Sequence, residues 1–277
     1  MKTILVNAEK CLQCGDCMIS CHDEHFDNDW SPIAAPQGDA KSWIRIDEKE
    51  VASGRLVKTT RVPVMCQQCG KADCIAAVSD GAVYRRDDGI VIIDPVKAKG
   101  QKAIVDSCPY GAIYWNEALQ LPQKCTMCAH LLDEGWKHPR CVTACPADAL
   151  SFVDVEELTA ANLTAPLEDL KPELKSGPRV KYMNLPKPFV GGDVVALGAE
   201  EPVVNAKVTA IHQVTGFSAY DYTDAFGGFK IDKLEPGFYT IAVEAPGCLF
   251  KKFTNMDLRE PVNMETVYVA QIPEGAR

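Results

Sequence analysis

The sequence predicts an α+β chain in two parts, a cysteine-rich module of short strands and helical turns followed by a small all-β sandwich. Three observations carry this. Twelve of the thirteen cysteines fall within the first 145 of 277 residues, clustered at short, repeated offsets. Residues 191–277 instead carry short alternating apolar segments broken by Gly, Pro and Asp. Apolar segments at residues 3–7 and 149–155 can pair, which would close the cysteine-rich part on itself.

Ile4-Leu5-Val6 reads as a strand leading into Cys11-Leu12-Gln13-Cys14-Gly15-Asp16-Cys17-Met18-Ile19-Ser20-Cys21, whose thiols are separated by two, two and three residues. That is an iron-sulfur ligand run: three thiols wrap one cluster and the fourth serves a second one. Residues 18–25 follow as the start of a helix. His22 and His25 are expected as satisfied polar residues, because the thiols already complete the ligand sets. Residues 43–47 and 57–65 alternate like two strands of a ribbon and lead to Cys66, Cys69 and Cys74, with Val78 where a fourth thiol would follow. Residues 81–94 read as a hairpin turning at Asp87-Asp88-Gly89. Upstream of Cys108, the positions a full run would fill with cysteine hold Ile104, Gln101 and Ala98. A strand at 112–116 precedes the last run, Cys125 and Cys128, a twelve-residue insert at 129–140, then Cys141 and Cys145. The insert carries His130, Trp136 and His138, and is expected as a surface excursion that contacts a partner.

The rule that the last cysteine of a run serves the other cluster assigns all twelve thiols. Cys11, Cys14 and Cys17 take Cys145; Cys125, Cys128 and Cys141 take Cys21; Cys66, Cys69 and Cys74 take Cys108. The reciprocal fourth site would need Ala98, Gln101, Ile104 and Val78, none of which binds iron. One site has been lost as a unit, with no orphan thiol left in this part of the chain. Three 4Fe-4S clusters are expected; four-cysteine zinc sites are the alternative, though interleaved runs are more typical of cubanes. The metal-like spacing argues against a disulfide framework.

A formal net charge of -9 argues against nucleic acid and against a polybasic membrane contact. No apolar run is long enough to span a membrane, and residues 1–9 lack an export signal's apolar core, so a cytoplasmic location is expected.

Residues 156–190, with five prolines, are expected as an extended linker arm with one short helix at 155–162. Strands are expected at 194–197, 206–212, 229–231, 238–243, 249–254 and 266–270, forming an antiparallel sandwich over 191–277. Thr223-Asp224-Ala225-Phe226-Gly227-Gly228-Phe229-Lys230-Ile231 and Leu234-Glu235-Pro236-Gly237-Phe238-Tyr239-Thr240-Ile241 resemble transthyretin-like or carboxypeptidase-regulatory-like modules. Tyr220, Tyr222 and Phe226 are expected to pack in the core or in turns rather than form a recognition edge. Cys248 is expected as a small semi-buried hydrophobe.

Across residues 1–155, the endings Cys108-Pro109-Tyr110-Gly111 and Cys145-Pro146, together with the long insert, resemble the iron-sulfur electron-transfer subunits of the dimethyl sulfoxide reductase family of molybdopterin enzymes. That resemblance implies a double ferredoxin-like fold and a large catalytic partner carrying a molybdenum or tungsten bis-pterin guanine dinucleotide. Ordinary members hold four clusters. The three-site pattern, with Tyr114-Trp115-Asn116-Glu117 and Lys124-Cys125-Thr126-Met127-Cys128-Ala129-His130, is similar to the pyrogallol-phloroglucinol transhydroxylase branch, which implies chemistry on polyhydroxylated aromatics at the partner; Cys145-Pro146-Ala147-Asp148 departs from it. With no dinucleotide loop, P-loop or flavin motif, both ends of the electron path are expected on partners. The alternatives are an electron-input subunit of a reductase or aromatic dehydroxylase, and a structural scaffold.

Overall fold

Ile4, Leu5 and Val6 sit in the middle of β1 (Lys2–Asn7), buried from Thr3 onward. A computed structural model describes residues 2–53, 56–158 and 163–272. The chain divides into two compact units, residues 1–48 with 61–185 and residues 49–60 with 186–277.

After β1 the chain forms α1 (Asp16–His25), starting two residues before the expected helix, then the ribbon strands β2 (Ile44–Ser53) and β3 (Leu56–Met65). The short helix α2 (Asp73–Ala76) precedes a hairpin of β4 (Val83–Arg85) and β5 (Val91–Ile93), paired Val83 to Ile93. Next come α3 (Ala103–Asp106) and a second hairpin, β6 (Tyr114–Asn116) with β7 (Leu121–Gln123). The sequence pointed only to the first strand of that pair, because Leu-Pro-Gln carries no alternation. Then α4 (Ala129–Asp133), α5 (Arg140–Thr143) and β8 (Leu150–Asp154) complete the cysteine-rich stretch.

β8 runs antiparallel to β1, with Ile4 opposite Phe152 and Val6 opposite Leu150. On the other side of β1 lies a strand that was not expected, β9 (Lys181–Met183), parallel, with Val6 opposite Tyr182. Residues up to 185 therefore group with the first unit, where a linker arm was expected. The stretch is held by buried polar groups: the Thr3 hydroxyl donates to the Arg179 carbonyl, and the Tyr182 hydroxyl donates to Pro63 O at 3.1 Å. A 3-10 turn at Val155–Glu157 stands where the short helix was expected, and residues 159–162 lie outside the described residues.

One apolar core joins Ile4, Val6, Trp43, Ile44, Met65, Ile92, Met127, Leu150, Phe152 and Tyr182 with the thiols of Cys17, Cys21 and Cys141. The expected surface insert is only partly at the surface. Ala129, His130 and Leu131 are buried in α4, and the exposed stretch is residues 133–138.

The second unit holds β10 (Val190–Ala196), β11 (Lys207–His212), β12 (Ser218–Tyr222), β13 (Gly228–Ile231), β14 (Phe238–Glu244), β15 (Lys251–Asp257) and β16 (Val262–Val269). They form sheets ordered β13-β10-β16 and β12-β11-β14-β15. β10 and β16 run parallel, Val194 opposite Val267, so the unit is not wholly antiparallel. Val208, Ala210, Phe229, Ile231, Tyr239, Ile241 and Val243 fill the interior, and Cys248 packs half-buried against it. β12 escaped sequence reasoning because its inward face carries only Ala219 and Asp221, one small and one charged residue. Its Tyr220 and Tyr222 are 60% and 53% exposed, which overturns the expectation of core packing for them, while Phe226, 61% exposed, sits in the turn that Gly227 N closes on Asp224 O.

Gly192 lies where β10 closes on β16: a Cβ there would meet Glu265 O at 2.8 Å and Phe229 Cε1 at 3.3 Å. Gly192→Ala is expected to cost about 1–3 kcal/mol through overpacking, read as an earlier denaturant transition of the sandwich. Among the described residues no helix is long and apolar enough to cross a membrane.

Candidate metal centres

The Cys-x-x-Cys pairs that open the three runs share one backbone device. Gln13, Gln68 and Met127, each immediately before the second cysteine, have φ of 60, 51 and 53°. Left-handed backbone costs a non-glycine residue about 1–3 kcal/mol and persists where its surroundings over-determine it. Here it reverses the chain between successive cysteines. Gly15, with φ 85°, makes the next reversal and heads α1, which carries Cys17 and Cys21.

The two Cys-Pro endings match each other as closely. Gly111 and Asp148, three residues after Cys108 and Cys145, have φ of 58 and 50°. The following amides donate to sulfur, Ala112 N to Cys108 Sγ at 3.4 Å and Ala149 N to Cys145 Sγ at 3.3 Å. Met127 N donates to Cys125 Sγ at 3.4 Å. Such N–H groups stabilise negative charge on sulfur and tune a metal held there.

The fold brings the expected ligands together in fours. Burial, then the neighbouring Cys11, Cys145 and Cys14, push the Cys17 thiol up to about 12. Cys141 is raised by burial and by Cys128, Cys125 and Cys21. Cys66, Cys69, Cys74 and Cys108 line one small cavity with Val91, Tyr110 and Ser176, and burial lifts Cys69 and Cys74 to about 11. Cys141 also feels Cys17, and Cys125 also feels Cys66, so the second set stands between the other two.

Four desolvated, mutually repelling thiols resist deprotonation unless a cation is present, which is the chemistry of a metal-thiolate site. Among the described residues no three His, Cys, Asp or Glu are grouped tightly enough to hold a single metal ion.

The histidines brace the second set. His25 is buried against Trp43, ring centroids 4.4 Å apart, with Nδ1 2.9 Å from Cys21 O, and burial pushes it down to about 4. His130 stacks on Trp30 at 4.3 Å and meets Glu24 Oε1 at 3.0 Å. His22 sits beside Phe26 and His138 is exposed.

Sequence reasoning missed three supports. Gln68, fully buried, donates to Cys125 O at 3.1 Å and accepts from Val91 N at 2.7 Å, tying the second set's loop to the third's. Residues 176–177 cover the third set: Gly70 N donates to Gly177 O at 2.7 Å, and Tyr110 and Ser176 share a 2.7 Å hydrogen bond. Lys124, beside Cys125, is the third. Of the four positions where a fourth ligand set was expected to be missing, Ala98 and Ile104 are buried in an apolar core with Val83, Ile93 and Leu121, and Val78 packs against it. Gln101 instead bonds Asp80 Oδ2 at 2.7 Å.

Residues 57–155 match the 4Fe-4S dicluster domain family, and residues 190–269 match the carboxypeptidase regulatory-like domain family. The pyrogallol hydroxytransferase small subunit of Pelobacter acidigallici is 38% identical over 88% of this chain and 90% of its own length. A subunit of the tetrathionate reductase of Salmonella typhimurium is 28% identical over 68% of this chain and 74% of its own. The thiosulfate reductase electron transfer subunit of Salmonella typhi is 32% identical over 56% of this chain and 76% of its own.

Proposed function

The chain belongs to the iron-sulfur electron-transfer subunits of molybdopterin enzymes, the family of the pyrogallol hydroxytransferase small subunit, and we propose that it holds three 4Fe-4S clusters in a row. Cys11, Cys14, Cys17 and Cys145 hold the first; Cys21, Cys125, Cys128 and Cys141 the second; Cys66, Cys69, Cys74 and Cys108 the third. The observation that supports this is the grouping of distant thiols, Cys17 beside Cys145, Cys141 beside Cys21, and Cys108 in one cavity with Cys66, Cys69 and Cys74.

Bound cubanes supply one-electron redox steps at potentials set by burial and by hydrogen bonds to sulfur. The chain's own residues do the rest. Cysteine thiolates bind the iron, the amides of Met127, Ala112 and Ala149 donate toward sulfur, and residues 176–177 with Tyr110 keep water from the third site. The catalytic chemistry belongs to a large partner subunit carrying a molybdenum or tungsten bis-pterin guanine dinucleotide, forming a heterodimer that acts on polyhydroxylated aromatics. In a transhydroxylation without net electron demand, clusters held by these cysteines would supply the electrons that set or restore the oxidation state of the partner's metal.

A second reading, net reduction, is supported by the likeness to the tetrathionate and thiosulfate reductase subunits. Reduced viologen separates the two: stoichiometric electron consumption with product favours a reductase, and turnover of an aromatic without it favours a transhydroxylase. Iron and sulfide analysis is expected to give about 12 of each per chain. About 16, or about 8, would overturn the three-site reading, and clusters that no reductant reaches would make the chain a scaffold.

A further inference from the structure

We infer that Lys124 is a fixed positive charge shared by the second and third cluster sites, a tuning residue that raises the reduction potential of both. The inference rests on the three-cluster reading above and adds to it a charge that no ligand pattern requires.

Lys124 is 2% exposed. Its Nζ donates to the carbonyl of Val91 and, at 3.1 Å, to that of Cys125. One of these carbonyls belongs to a residue lining the third set's cavity, and the other to a ligand of the second. Both are neutral, and a buried ammonium is costly unless an anion is near. The groups that would carry negative charge around it are the thiolates of the two cluster sites those carbonyls border. Its ammonium thus joins the backbone of the second set's own ligand run to the wall of the cavity that Cys66, Cys69, Cys74 and Cys108 line.

Four thiolates around a cubane leave a net anion, and an added electron makes it more negative. A fixed positive charge in low dielectric favours that electron. Because Lys124 stands between two sites, it lowers the cost of reducing either one. It also offsets part of the repulsion when both are reduced, which eases passage of an electron from one to the next.

The test is an EPR-monitored redox titration of the whole complex with dithionite, comparing wild type with K124M, K124Q and K124R. In both neutral variants the second and third clusters are expected to become harder to reduce by tenfold or more in equilibrium constant, about 59 mV for one electron, with the first cluster unmoved. K124R is expected to keep wild-type potentials. Loss of iron from the second and third sites in both neutral variants, with the first intact, would support the same role. Unchanged potentials at full iron content would overturn it, as would an equal shift or loss at all three clusters. Wild-type protein with iron well below about 12 per chain would sink the three-cluster reading itself, whatever the variants do.

Discussion

Cys108→Ser is expected to remove one cluster and no other, taking iron from about 12 to about 8 per chain. Cys108 stands alone in sequence, 34 residues after Cys74, yet it shares a cavity with Cys66, Cys69 and Cys74. Its sulfur accepts the Ala112 amide, and its thiol is raised first by burial and also by Cys66. Serine keeps the volume but offers an alkoxide in place of a soft thiolate, so the cubane loses its fourth corner. The sharper form of the prediction uses pairs. Cys145→Ser and Cys11→Ser should each cost about four irons, and together still about four, because both break the first cluster. Cys145→Ser with Cys125→Ser should cost about eight, although those two residues lie in the same run. Additive loss in the first pair, or a shared loss in the second, would show that the runs do not interlace. Iron analysis with EPR spin counting on the intact complex reads all of these.

The proposed ligand sets can be read from the sequence because metal ligation makes spacing diagnostic: a thiol must reach the cluster, and the run fixes how. The sheet that closes the first unit was legible for the same kind of reason, since Ile4, Leu5 and Val6 need an apolar partner and Leu150 and Phe152 provide one. What stayed hidden depends on contacts across the chain. β9 is three residues long and looks like any Pro-rich connector, yet it is fixed by Tyr182, which accepts from Gln67 Nε2 at 3.0 Å. Lys124 next to a cysteine run carries no burial signal, because lysine is ordinarily exposed; only the fold turns its side chain onto Val91 O. The tyrosines of β12 were expected in core or turn packing, whereas an edge strand with Ala219 and Asp221 on its inward face leaves them at the surface.

The lost fourth site yields the second large effect. Ile104→Ala is expected to destabilise the first unit by about 2–5 kcal/mol and to leave iron at about 12 per chain. Ile104 is 1% exposed and shares a core with Ala98, Val83, Val91, Ile93, Ile113 and Leu121, with Val78 packed alongside. Truncation opens a cavity that rigid hairpin strands cannot close. The same core touches Cys74 and Cys108, so a ligand role for this region would show itself as lost iron. Replacing Val78, Ala98, Gln101 and Ile104 together with cysteine is not expected to create a fourth cluster. The replacement puts thiols where apolar packing now holds the β4–β5 hairpin against α3, and the new set would have to form at the expense of that core. A variant that bound about 16 irons and unfolded no earlier than wild type would show that the apolar packing is incidental. If instead the variant keeps about 12 irons and loses stability, the space once available to a cluster has become part of what folds the remaining three sites.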